Sequence, residues 1–144
     1  MYGYKDEQNE VGWVMKLDVE KAYDKVNWNY LLKVMERMGF GFTWRNWIRS
    51  CISHAHFSVL VNGVPGVNFR SSRGLRQGDP LSPFLFTMVM EGFCRMIARA
   101  EENGCLYLFK VTLDGPVVSH LLFADETLLF SADKSKVYIL LGQF

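Results

Sequence analysis

Leu121-Leu122-Phe123-Ala124-Asp125-Glu126-Thr127-Leu128-Leu129-Phe130 is the stretch on which the reading of this chain turns. Two apolar, β-prone runs flank a short connection, which reads as a hairpin of buried strands. Ordinary hairpin turns reach their dihedrals with Gly, Asn or Pro, whereas this one carries two adjacent carboxylates at its tip. Acids held between buried strands repel each other and lose solvation unless a cation lies between them. A metal ion meets that need. For the dipeptide alone, a solvated turn is the plain alternative.

A third acid shifts the balance. Trp13 to Val19 is another apolar, β-prone run, and it ends on charge at Asp18. If the two strands pair, Asp18 joins Asp125 and Glu126 at one end of a sheet. Three oxygen ligands without His or Cys suit Mg²⁺ or Mn²⁺ better than zinc. Residue chemistry by itself stops there, at a candidate divalent-cation site.

Between these strands the spacing predicts helices. Asn29 is placed to cap one that runs to Met38, with Leu31, Leu32, Met35 and Met38 on one face and Gly39 as its stop. A second starts at Thr43, with Trp44, Trp47, Ile48, Cys51, Ile52 and Ala55 at helical spacing. Phe57 to Val61 and Val67 to Ser71 read as strands joined through Asn62-Gly63, Pro65 making the second an edge strand at best. Arg70 to Asp79 reads as a loop. Ser82-Pro83 opens the longest helix, whose buried stripe is Leu85, Met88, Val89, Gly92, Met96 and Ile97, and Gly104 closes it. Leu106 to Leu113 and Val117 to Phe123 are two further strands, turned by Asp114-Gly115. This order is not a regular βαβα alternation. It predicts an α+β domain with helices packed on one face of a mostly antiparallel sheet.

Composition sets the bounds. The chain has 144 residues, with 49% hydrophobic and 15% aromatic side chains, enough for one domain with a substantial core. Sixteen Lys and Arg against 15 Asp and Glu leave a charge of +1, which neither supports nor excludes a nucleic-acid partner. Cys51, Cys94 and Cys105 form no metal or disulfide pattern, and no basic leader precedes an apolar segment. No apolar run approaches the roughly 20 residues that span a bilayer. An intracellular location is the expectation.

Three blocks carry a resemblance. Lys16-Leu17-Asp18-Val19-Glu20-Lys21-Ala22-Tyr23-Asp24-Lys25-Val26, Gly74-Leu75-Arg76-Gln77-Gly78-Asp79-Pro80-Leu81-Ser82-Pro83 and Phe123-Ala124-Asp125-Glu126 resemble three successive palm motifs of reverse transcriptases. The flavour is that of non-LTR, LINE-type retrotransposons, particularly plant ones, and it extends from about Trp13 to Asp133. The resemblance implies a polymerase palm and RNA-directed DNA synthesis from an RNA template, a DNA primer and deoxynucleotide triphosphates, by two-metal nucleotidyl transfer with Mg²⁺ or Mn²⁺. It makes Asp18, Asp125 and Glu126 the catalytic acids. Asp18, Asp125, Glu126 and the Val19 carbonyl are the implied metal ligands. Tyr23 is implied to stack under the incoming sugar, and Gln77 and Gly78 to touch the nucleotide and template. Arg70, Arg73 and Arg76 are candidates for phosphate contacts; a solvated charged loop is the alternative.

Two departures stand out. Glu126 occupies the position of the family's second aspartate, which leads to an expectation of weak or absent activity. Only 12 residues precede Trp13 and 11 follow Asp133, so fingers and thumb segments are expected to be mostly missing, leaving a partial palm fragment. A non-catalytic remnant and a co-opted RNA-binding or interaction module are the competing readings. A Mg²⁺-dependent nuclease or nucleotidyl cyclase leaves the Arg76 to Pro83 block unexplained.

Overall fold

The computed structural model describes residues 2–5, 11–18, 20–106, 117–123 and 126–133. The chain divides into two compact units, Met1–Glu20 with Phe93–Phe144 and Lys21–Gly92.

In the first unit, β1 (Tyr2–Lys5), β2 (Val11–Asp18), β7 (His120–Phe123) and β8 (Glu126–Ser131) form a sheet in the order β1-β2-β8-β7. Every pairing is antiparallel. Strand alternation sorts the side chains onto two faces. Met15 and Leu129, direct partners across β2 and β8, are buried together with Ile97, Ala100 and Leu106. Ile97 and Ala100 belong to the C-terminal part of α4 (Ser82–Glu102), which therefore covers this face. Complete burial of Leu129 and Ile97 contributes about 1.5–3 kcal/mol each. Gly104, at φ +66°, ends the helix by letting the Cys105 and Leu106 N–H groups turn back to donate to the Ala100 carbonyl at 2.7 and 3.1 Å.

The expected α+β class and antiparallel sheet are thus found. Strand β1 was not expected: among the described residues it pairs only with β2, and an edge strand needs no continuous apolar pattern. The strand expected from Val117 begins at His120, while the one expected from Leu106 to Leu113 lies outside the described residues after Leu106.

The second unit holds α1 (Ala22–Lys25), α2 (Trp28–Arg37), α3 (Phe42–Ser53), four two-residue strands and the first half of α4. Leu31, Leu32 and Met35 of α2 pack with Ile48 of α3 and with Leu85 and Phe86 of α4. Gly92 marks where α4 passes close to α2: an added Cβ would lie 2.6 Å from Tyr30 Oη and from Val34 Cγ2. Lys33 and Arg45 flank Glu36, and the hydrogen bond and charge of Lys33 hold its carboxyl below the usual range.

Three local expectations need correction. The cap of α2 is Asn27, whose Oδ1 accepts from the Asn29 and Tyr30 N–H groups at 2.9 and 3.1 Å; Asn29 is already inside the first turn. Replacing Asn27 by Ala should therefore cost about 1 kcal/mol in urea unfolding, and Asn29→Ala only a few tenths. Second, Met38, Trp44, Trp47 and Cys51 are exposed although their spacing suggested a buried stripe. Of that stripe on α3, Ile48 and Ile52 pack into the core, and Trp44 and Trp47 pack edge-to-face on each other, 5.8 Å between centroids. Third, Ser82 is the first residue of α4, and Asp79 supplies the acceptors before it, its Oδ1 to the Leu81 N–H at 2.8 Å and its carbonyl to the Ser82 N–H at 3.1 Å.

The hairpin through Asn62-Gly63 exists, with both residues at positive φ (51° and 82°), as a tight reversing turn requires. It is broken into two short ladders. β3 (His56–Phe57) pairs with β6 (Phe69–Arg70), and β4 (Leu60–Val61) with β5 (Val64–Pro65). Phe57 faces Phe69 and Leu60 faces Pro65, so three steps on one strand oppose four on the other. The extra residue is a bulge, and it explains why the ladder is interrupted.

Candidate active site

The sheet of the first unit brings together the acids that sequence reading singled out, as far as they are described. Asp18 is the last residue of β2 and Glu126 the first of β8, and they are direct partners in the antiparallel register. Facing residues share a side of the sheet, so Asp18, Glu126 and, two residues back, Lys16 lie on the face that α4 does not cover. Asp125 and Val19 lie outside the described residues.

Like charges directly opposed across strands destabilise the pairing. Lys16 Nζ relieves half of this, reaching Glu126 Oε1 at 2.6 Å with both side chains roughly half exposed. The Asp18 carboxylate, exposed at the strand end, has no hydrogen-bond or ion-pair partner among the described residues. Hard oxygen donors at the exposed end of two paired strands fit a divalent cation of the Mg²⁺ type. No group of three potential ligands occurs among the described residues, and the third acid in sequence, Asp125, is outside them. Lys16 is the residue that sequence reading missed. Its signal was the alternation in β2, which puts it on the same face as Asp18.

The second unit carries the other candidates. Tyr23 is half-buried, its ring stacked on Phe86 with centroids 4.5 Å apart and planes 13° apart. The segment after β6 is irregular, as expected, except that Arg70 itself belongs to β6 and donates from Nε to His56 Nε2 at 2.8 Å. Gly74 and Leu75 fasten this loop to the turn around α1, their N–H groups donating to the Val26 and Tyr23 carbonyls, both at 2.8 Å. Trp28 Nε1 donates to the Gly74 carbonyl at 2.7 Å. Gln77 and Gly78 form an exposed turn, Gly78 at φ +83°.

Arg73, Arg76 and Gln77 line a cavity of about 560 Å³ together with Phe57, Phe69 and Ser71. Asp24, Asp79 and Cys51 also reach its wall, none of which sequence reading had placed there. Guanidinium groups beside stacked aromatic rings, Phe57 and Phe69 being 6.0 Å apart, can accept a phosphate together with a flat ring.

The fold is that of a palm-type polymerase. A structure of apo telomerase from Candida tropicalis, truncated from its C-terminal domain, superposes with a TM-score of 0.58 at 18% identity, over 92% of this chain and 26% of that one. The family follows from sequence comparison: residues 3–143 match the reverse transcriptase (RNA-dependent DNA polymerase) family, and the chain belongs to it. It is 35% identical over 127 residues to the Pol polyprotein of a type-1 retrotransposable element R2 from Popillia japonica, covering 85% of this chain and 17% of that protein. An uncharacterised mitochondrial protein of Arabidopsis thaliana is 47% identical over 79 residues, 53% of this chain and 62% of that protein. The expected kinship with non-LTR retrotransposons is borne out, and a plant protein is also similar to this chain. The chain spans less than two thirds of either relative. Among the described residues, no helix is long and apolar enough to cross a membrane.

Proposed function

We propose that this chain is the palm part of an RNA-directed DNA polymerase of a non-LTR retrotransposon, with nucleotidyl transfer slowed by Glu126. The observation that supports this reading most is the register that sets Asp18 directly opposite Glu126 at one end of the antiparallel sheet. Asp18, Asp125, Glu126 and the Val19 carbonyl are the groups that would hold two divalent ions. When bound, such ions would supply charge to lower the pKa of a primer 3′-hydroxyl and to neutralise the triphosphate. The protein's own residues then bind and orient. Tyr23 faces the sugar of the incoming nucleotide, Gln77 and Gly78 its base pair, and Arg70, Arg73 and Arg76 the phosphates of template or substrate. Lys16 acts against the cation by holding the Glu126 carboxylate to itself. The three cysteines, all free, fit an intracellular, reducing location.

Primer extension on an RNA template with deoxynucleotide triphosphates and Mg²⁺ or Mn²⁺ tests the reading, both in this chain and in whatever longer chain its transcript encodes. Extension should depend on Asp125 and disappear in Asp125→Asn. Glu126→Asp withdraws one methylene, shifting the carboxylate by roughly 1.5 Å. Misplacement of about 1 Å can cost a hundredfold in rate, so this change should raise extension by up to about that factor. Equal rates before and after would remove Glu126 as the cause of impairment. No extension in any form, with salt-dependent RNA binding retained, would leave a binding module instead.

A further inference from the structure

In the first unit a second reactive cluster lies behind the sheet. Cys94 of α4 and His120 of β7 are 26 residues apart in sequence, yet His120 Nε2 lies 3.1 Å from Cys94 Sγ. On the other side of the ring, His120 Nδ1 is 2.8 Å from Ser119 Oγ. This second contact matters for the first. When Nδ1 carries the proton and donates it to the serine oxygen, Nε2 keeps its lone pair and faces the thiol as an acceptor. Cys51 and Cys105 are more exposed than Cys94, but the Cys105 thiol meets a carbonyl, that of Asn103 at 3.8 Å. Neither has a described hydrogen bond to an imidazole.

We propose that Cys94 is a base-activated nucleophilic thiol, a covalent modification site for hydroperoxides and soft carbon electrophiles, with His120 as its base and Ser119 positioning the ring. This goes beyond polymerase function and does not depend on it. His120 Nε2 takes the thiol proton, leaving a thiolate beside an imidazolium. With a hydroperoxide, an S–O bond forms as the O–O bond breaks. Sulfur is oxidised by two electrons to the sulfenic acid, the peroxide is reduced, and the departing oxygen anion takes the imidazolium proton. With iodoacetamide, an S–C bond forms, iodide leaves, and the imidazolium releases its proton to water. Because β7 carries His120 and ends at Phe123, the partner of Glu126, an adduct on Cys94 presses on the strand that pairs with β8 beside Glu126.

Limiting iodoacetamide at neutral pH, with each cysteine followed by peptide mass spectrometry, tests the proposal. Cys94 should be modified about tenfold faster than Cys51 and Cys105 despite its lower exposure. His120→Asn should bring the Cys94 rate to or below theirs without changing them, and Ser119→Ala should slow it about threefold. A wild-type Cys94 slower than the exposed pair, or a Cys94 rate unchanged in His120→Asn, overturns it. Should His120→Asn unfold the chain, the ultraviolet thiolate absorbance of the wild type against Cys94→Ser decides, and no difference overturns the proposal. Asp18→Asn, which bears on the polymerase reading only, should leave the Cys94 rate where it was.

Discussion

Asp18→Asn should make the chain more stable and at the same time remove its hold on a divalent cation. Asp18 and Glu126 face each other directly across β2 and β8, and like charges so placed weaken a strand pair. Lys16 compensates Glu126. Removing the Asp18 charge should therefore raise stability at neutral pH by about 0.5 kcal/mol in urea unfolding. The same change takes away a carboxylate proposed to bind an ion. Outer-shell partners of a metal already cost 10–100-fold when lost, so loss of this ligand should weaken Mn²⁺ binding by more than about tenfold and primer extension by more than about a hundredfold. A variant that is less stable and binds Mn²⁺ as before would mean that Asp18 serves the sheet and not a cation.

Gly74→Ala should be the most damaging single methyl in the second unit. At φ +90° any side chain is strained, by about 1–2 kcal/mol. In addition, the new Cβ would lie 2.7 Å from the Asp24 carbonyl oxygen and 3.1 Å from that residue's C and Cα. These are backbone atoms, and no rotamer change can clear them. Relief requires the loop to lift, which breaks the hydrogen bonds from Gly74 to Val26 and from Leu75 to Tyr23 and pulls the buried Leu75 from its core. The total should reach about 3 kcal/mol or more in urea unfolding. Gly78→Ala is the internal control. Gly78 has the same handedness, φ +83°, but nothing within 4 Å of its added Cβ, so only the strain of about 1 kcal/mol should appear. Equal losses at the two glycines would show that the close approach at Asp24 carries no weight.

How far the sequence could be read depends on the range of the interaction involved. Gly39 and Gly104 end their helices as expected because a stop is set by the dihedrals of one residue, and both adopt positive φ. The cap of α2 was displaced by two residues because Asn27 and Asn29 are equally good capping types, and only the path of the chain decides which precedes the first turn. The stripe of α3 failed for a different reason. Helical spacing says which side chains share a face, but not how wide the surface is that receives them, and only Ile48 and Ile52 find one. The bulge in the hairpin was hidden because a single inserted residue leaves apolar composition unchanged while resetting the register.

By itself, the sequence determined the family, through three short blocks in fixed order, and with it the α+β class and the acids worth examining. Local chemistry suffices for that, since a strand's alternation or a glycine's dihedral is settled within a few residues. Tertiary structure alone decided that Asp18 meets Glu126 across 108 positions of chain, that Lys16 takes up the second carboxylate, that Gly74 rests on the Asp24 backbone and that His120 faces Cys94. Each of these is a distance of a few ångströms between residues far apart in sequence. Such proximity arises only when the sheet register and the packing of α4 on one face have been fixed together.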